Sequence, residues 1–171
     1  MILIMDNTGL KLKENIRHIS IRKKTASRIC SLQVLYSFSV LNNDLDLLMY
    51  NYVENYLPDV LEELNLKNLD YQLFETIIKG VYNNLFKIDE IISNNLSRNW
   101  SIDRLSQTEK TVLRLATYEL LFEKKFTRLT IMNEYISIFE VFGGNADFAN
   151  GILDNISKTK LIWNEWIWLY K

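Results

Sequence analysis

SQTEKTVLRLATYELLF at Ser106–Phe122, IMNEYISIFEVFGG at Ile131–Gly144 and DFANGILDNI at Asp147–Ile156 decide the fold of this chain. In the first, Val112, Leu113, Leu115, Ala116, Leu120 and Leu121 cover more than half of a helix circumference. A helix apolar on so many sides belongs at the centre of a bundle. Ser106 and Glu109 stand three apart, the spacing of a capping box, in which each side chain satisfies a backbone N–H of the other residue. In the second, Ile131, Tyr135, Ile138, Phe139 and Phe142 repeat at helical steps, with Thr130 expected as the cap. Gly143-Gly144 stops that helix, because glycine tolerates the left-handed conformation at a helix end. Asn145 is expected to cap the third, whose inner face is Phe148, Ile152, Leu153 and Ile156.

Working outward, the spacing predicts a helix over about Lys23–Val40, with Ile29, Leu32, Leu35 and Tyr36 on one stripe. A less regular segment, about Asp46–Leu64, contains Pro58 and should bend or divide there. Leu69, Leu73, Ile77, Val81 and Leu85 mark another helix. Ile88, Ile91, Ile92 and Leu96 mark the next, with Asp89 and Glu90 expected near its positive N-terminal end. With five glycines and one proline in 171 residues, the chain has few breaks, so the fold class is all-α, a compact domain of seven or so helices. Residues 1–20 read as an N-terminal extension, residues 21–158 as the helical domain, and residues 159–171 as a Trp-rich C-terminal tail expected to pack on the core.

Charge narrows the function. The net charge is −1, yet residues 1–28 hold seven Lys/Arg against Asp6 and Glu14, while the rest of the chain holds 13 basic and 19 acidic groups. One basic edge on an acidic body fits contact with a phosphate backbone, and equally a solvated, partly disordered leader. Arg22, Lys23, Lys24 and Arg28 form the edge, and Lys24 and Arg28 are one helical turn apart. Tyr36 and Phe148 are candidate stacking platforms for unpaired bases, or core residues. Gln33 is a candidate reader of a base edge, or a solvated side chain. One cysteine, Cys30, and one histidine, His18, supply neither a disulfide nor a metal cluster nor a Cys–His pair, so no metal or cofactor is expected. The acid pairs Asp44/Asp46 and Asp89/Glu90 fall at expected helix starts, and no nucleophile elbow or phosphate-binding loop is present, so catalysis is not expected. The apolar start MILIM is followed by Asp6, and no run approaches the ~18 residues of a membrane span. The expected setting is the cytoplasm, away from membranes.

The order of these motifs resembles the NusB family. The basic stretch runs into Arg28 and Gln33-Val34-Leu35-Tyr36, followed by Gly80-Val81, Ile88-Asp89 and a linker with Trp100. Then come Arg104, Leu105, Glu109, Leu113, Arg114, Ala116, Tyr118, Glu119 and Leu120, next Ile131, Asn133 and Glu134, and Phe142-Gly143. Phe148, Asn150, Gly151, Leu153 and Asp154 close the pattern. The resemblance implies a pair of small helical bundles. It implies a transcription antitermination factor that binds boxA-type single-stranded RNA of ribosomal RNA transcripts together with NusE, a ribosomal protein, within an RNA polymerase antitermination complex. By position, Arg22, Lys23, Lys24, Arg28, Gln33, Tyr36 and Phe148 would face RNA, and Asp103 and Glu109 would face NusE. It leaves a homodimer open. Departures from the family pattern stand at Thr25 and Ala26, where relatives are often basic, and at Asp147, where they often carry Lys. These imply weaker intrinsic RNA affinity and greater dependence on NusE, and they keep open a helical protein-interaction module with weak or lost RNA binding. NusB-like domains also occur fused to ribosomal RNA cytosine methyltransferases, but residues 1–171 contain no cofactor-binding α/β pattern.

Overall fold

The computed structural model describes residues 21–41, 43–123 and 125–166, with side chains through residue 159. The extension 1–20 and the last five residues lie outside these. The described residues form eight α-helices and one short 3-10 turn: α1 (Lys23–Leu41), α2 (Leu45–Asn55), α3 (Leu57–Glu63), α4 (Tyr71–Asn83), α5 (Leu85–Asn95), the turn Ile102–Arg104, α6 (Gln107–Leu121), α7 (Arg128–Val141) and α8 (Ala146–Trp166). They fall into two compact units that divide between Lys79 and Gly80.

In the first unit, α1 is buried without interruption from Ala26 to Leu35. Ser27 links it to α4, since its Oγ accepts from the Asp70 N–H at 2.9 Å while Asp70 Oδ1 accepts from the Leu73 N–H at 3.0 Å. The expected break near Pro58 falls one residue ahead of α3, at Tyr56, and leaves proline in that helix's first turn. There its missing N–H is one the helix cannot use anyway. Helix α3 is closed two residues past its end by Asn65, whose φ of 52° allows the N–H groups of Asn65 and Leu66 to bond to Glu62 O and Leu61 O. That is the double hydrogen bond of a Schellman cap, with asparagine in the place usually taken by glycine.

In the second unit, α6 lies against α5, α7 and α8. Nine of its residues are buried, including every position from Leu115 to Leu120. The expected capping box is present: Ser106 Oγ accepts from the Glu109 N–H at 3.2 Å and Glu109 Oε2 accepts from the Ser106 N–H at 2.8 Å. Two polar side chains on α6 are satisfied across the bundle. Tyr135 of α7 donates to the buried Glu119 carboxylate at 2.6 Å. Arg114 donates two hydrogen bonds of 2.7 Å to the two oxygens of Asp89 on α5. Asp89 therefore does not serve the N-terminal end of its helix as its place in the sequence suggested. Helix α5 begins one turn earlier, at Leu85, and Asp89 is instead the fork-on-fork partner of an arginine. Thr127, not Thr130, caps α7, and its side chain accepts from the Thr130 N–H. Gly143 (φ 83°) and Gly144 close α7 through hydrogen bonds to Glu140 O and Phe139 O, again a Schellman cap. Asp154 on α8 takes hydrogen bonds from Arg128 and from Lys158, and the latter is the main reason its carboxyl lies below the usual range.

Gly80 allows the closest approach in this unit. A Cβ built there would lie 1.9 Å from Cζ of Tyr118 on α6. Tyr118 stacks in turn on Phe122, with centroids 5.9 Å apart. Alanine at position 80 would gain about 1 kcal/mol of intrinsic helix preference. The overlap with the ring should outweigh that, so Gly80→Ala is expected to lower the unfolding free energy by about 1–3 kcal/mol in a urea titration. An equal or higher stability would show that Tyr118 yields without cost.

Candidate nucleic-acid interface

The basic edge is built on the start of α1. Arg22 precedes the helix, Lys23 and Lys24 occupy its first turn, and all three are exposed. No acid stands in that turn. Cations here oppose the helix dipole, which favours anions at an N-terminus, by about 0.3–1 kcal/mol each. The same arrangement adds the positive end of the dipole to fixed positive side chains. The result is a local field suited to phosphate.

Two of the expected RNA contacts are interior. Arg28, one turn beyond Lys24, is 2% exposed, and Gln33 is 9% exposed. Gln33 Oε1 accepts the Tyr52 hydroxyl proton, so its amide is part of a buried polar pair rather than a reader of base edges. The reason is the unbroken burial of Ala26–Leu35: α1 is covered on every side there, so four-residue spacing from an exposed lysine does not carry exposure with it. Tyr36, at the end of that run, is half-buried. Cys30 belongs to the same interior. Its thiol interacts with Tyr52, and burial raises its pKa from 9.0 to about 11. Burial likewise raises the Tyr52 hydroxyl far above its ordinary value.

Phe148 belongs to the second unit. It lies in the first turn of α8, where its N–H is capped by Asn145 Oδ1 at 2.8 Å, as the sequence suggested. The ring is half-buried, against Trp100 at 5.4 Å and Phe139 at 6.1 Å between centroids. Asp147 beside it is exposed. The two residues expected to face a protein partner differ. Asp103 is exposed in the 3-10 turn, whereas Glu109 is half-buried and committed to the capping box. Trp100 stood in the sequence only as a linker marker. The 3-10 turn brings Arg104 back over it, with the guanidinium 5.4 Å from the ring centroid, a contact with no local signal in the sequence. Among the described residues, no helix is long and apolar enough to cross a membrane, and no group of three or more His, Cys, Asp or Glu is placed to hold a metal ion.

Comparison with known proteins gives the family. Residues 25–158 match the NusB family. A transcription antitermination protein NusB of Clostridium botulinum (strain Alaska E43 / Type E3) is 35% identical over 134 residues, 77% of this chain and 96% of that protein. One of Sphingopyxis alaskensis is 30% identical over 139 residues, 80% of this chain and 93% of that protein. Among solved structures, T. maritima NusB superposes with a TM-score of 0.60 at 34% identity, covering 79% of this chain and 90% of that one. A crystal structure of the antitermination factors NusB and NusE in complex with dsRNA gives 0.65 at 27% identity, covering 81% and 98%. The chain belongs to the NusB family.

The buried thiol provides a check on this interior. Native protein at pH 8 should react with a thiol-specific disulfide reagent far more slowly than protein unfolded in guanidinium, because burial blocks access and keeps the group protonated. The folded-state pKa is raised. Any stability tied to this thiol is therefore complete below about pH 9 and is lost as the pH rises toward 11. Rapid labelling of the native protein would mean that the centre of α1 opens.

Proposed function

We propose that this chain is a transcription antitermination factor that binds boxA-type single-stranded RNA of ribosomal RNA transcripts together with NusE, as part of an RNA polymerase antitermination complex. Membership of the NusB family supports the reading, and so does the complex in which a related NusB is held with NusE and RNA. The observation that carries it is the exposed trio Arg22, Lys23 and Lys24, set against the dipole at the start of α1. Tyr36 and Phe148, each half-buried, keep part of a ring available for stacking. Asp103 is the better placed of the two acids for NusE, since Glu109 is held by the capping box. A cytoplasmic setting follows from this role.

A second reading has specific support. Arg28 and Gln33 are interior, and Asp147 sets an exposed carboxylate next to Phe148. A family member so altered could serve as a helical protein-interaction module with weak or lost RNA binding.

Fluorescence anisotropy of labelled boxA-type RNA, with and without NusE and at two salt concentrations, separates the two. The first reading expects binding that NusE tightens and salt weakens. It also expects Lys23→Ala and Lys24→Ala each to reduce the magnitude of the logarithmic salt slope by roughly 1 if the residue meets a phosphate. No binding even with NusE present would leave the interaction module standing. A double-stranded probe run alongside identifies the strand state preferred.

A further inference from the structure

A series of planar groups runs through the second unit from its core to its surface. Phe139 is fully buried; Phe148 lies against it, Trp100 against Phe148, and the Arg104 guanidinium over Trp100, with successive separations of 6.1, 5.4 and 5.4 Å. The outer half of the series is open: Trp100 is 45% exposed and Arg104 is exposed. Arg104 is held in place by the preceding loop, its Nη1 donating to the Asn99 carbonyl at 2.8 Å. Among the described residues, no carboxylate is paired with it. The 3-10 turn Ile102–Arg104 fixes this arrangement by bringing Arg104 back toward Asn99 and Trp100.

An exposed tryptophan in a soluble helical protein is a large apolar surface left in water. A guanidinium parked over it partly offsets that cost, and it also makes the outermost layer a flat cation. Aromatic rings and arginine planes are the two surfaces on which proteins stack unpaired bases. The loop supplies further suitable groups, since Arg98 and Asn99 are exposed beside the tryptophan. The exposed carboxylates Asp103 and Asp147 disfavour a phosphate on their side, so a base suits this patch better than a backbone does.

We infer that Trp100 and Arg104 form a stacking site for one unpaired base of single-stranded RNA, added as the next layer on the Phe148–Trp100–Arg104 series. This rests on the RNA-binding reading above and extends it to a pair of residues in the linker before α6. Phe148 then acts as the floor that holds Trp100, rather than as the outermost platform. The base is bound by a face that all four bases share, so the site adds affinity without sequence preference.

The test uses the full chain and labelled boxA-type single-stranded RNA, with and without NusE. Trp100→Ala should weaken binding roughly 5- to 150-fold and Trp100→Phe much less. Arg104→Ala should weaken it roughly two- to fivefold. The protein has four tryptophans, so the emission difference between the wild type and Trp100→Phe isolates this ring, and RNA should quench that difference. If Trp100→Ala fails to fold, Arg104→Ala and the emission difference decide. Unchanged RNA affinity in the Trp100 and Arg104 variants, with Lys24→Ala still impaired, would overturn this inference and leave the basic edge intact. Loss of NusE binding with RNA binding unchanged would make the patch a protein contact and overturn it as well. A wild-type chain that binds no RNA even with NusE present would overturn both readings.

Discussion

Helix α6 has almost no outward face, and the second unit is arranged to cover it. Leu113, Ala116 and Glu119 reach zero exposure, and Val112, Leu115 and Leu120 come close. On a helix buried this fully an unpaired polar group costs about 1–3 kcal/mol, and one hydroxyl, Thr117 Oγ1, is buried there without a hydrogen-bond partner. Glu119, by contrast, is met by the Tyr135 hydroxyl, and Arg114 by both oxygens of Asp89. Tyr118, on the same helix, is accommodated because position 80 lacks a side chain. Neighbouring helices therefore owe particular residues to α6: an aspartate on α5, a tyrosine on α7 and a glycine on α4.

This dependence explains what was legible in the chain. Local rules held where the interaction is local. The Ser106–Glu109 box, the Asn145 cap and the Gly143-Gly144 stop are all written within a few residues, and all three are present. Readings failed where a distant partner decides. Asp89 looked like a helix-start acid because Arg114 is 25 residues away in sequence. Thr127 displaced Thr130 as the cap of α7, an ambiguity that two threonines three apart do not resolve. The family resemblance came through because it rests on the order of many such signals rather than on any one.

The functional surface was the least legible part, for a related reason. Lys24 and Arg28 share a helix face by spacing, but exposure changes between them because burial of α1 begins at Ala26. Gln33 was drawn inside by Tyr52, 19 residues on. What survives at the surface is a narrower cationic edge than the sequence suggested, Arg22 to Lys24. The aromatic surface is correspondingly wider, with Trp100 and Arg104 beside Phe148. On the proposed RNA-binding reading, this narrower edge shifts more of the affinity to stacking and to a protein partner.

The central claim is that this chain promotes antitermination through RNA. Its most direct test is transcription in vitro on a template with a boxA-type element upstream of a terminator, comparing read-through with and without this protein when NusE and the remaining factors are present. The account expects read-through to rise when the protein is added, and to return to the baseline when the boxA-type element is scrambled. Read-through that is unchanged by the protein, or raised equally on the scrambled template, would contradict it.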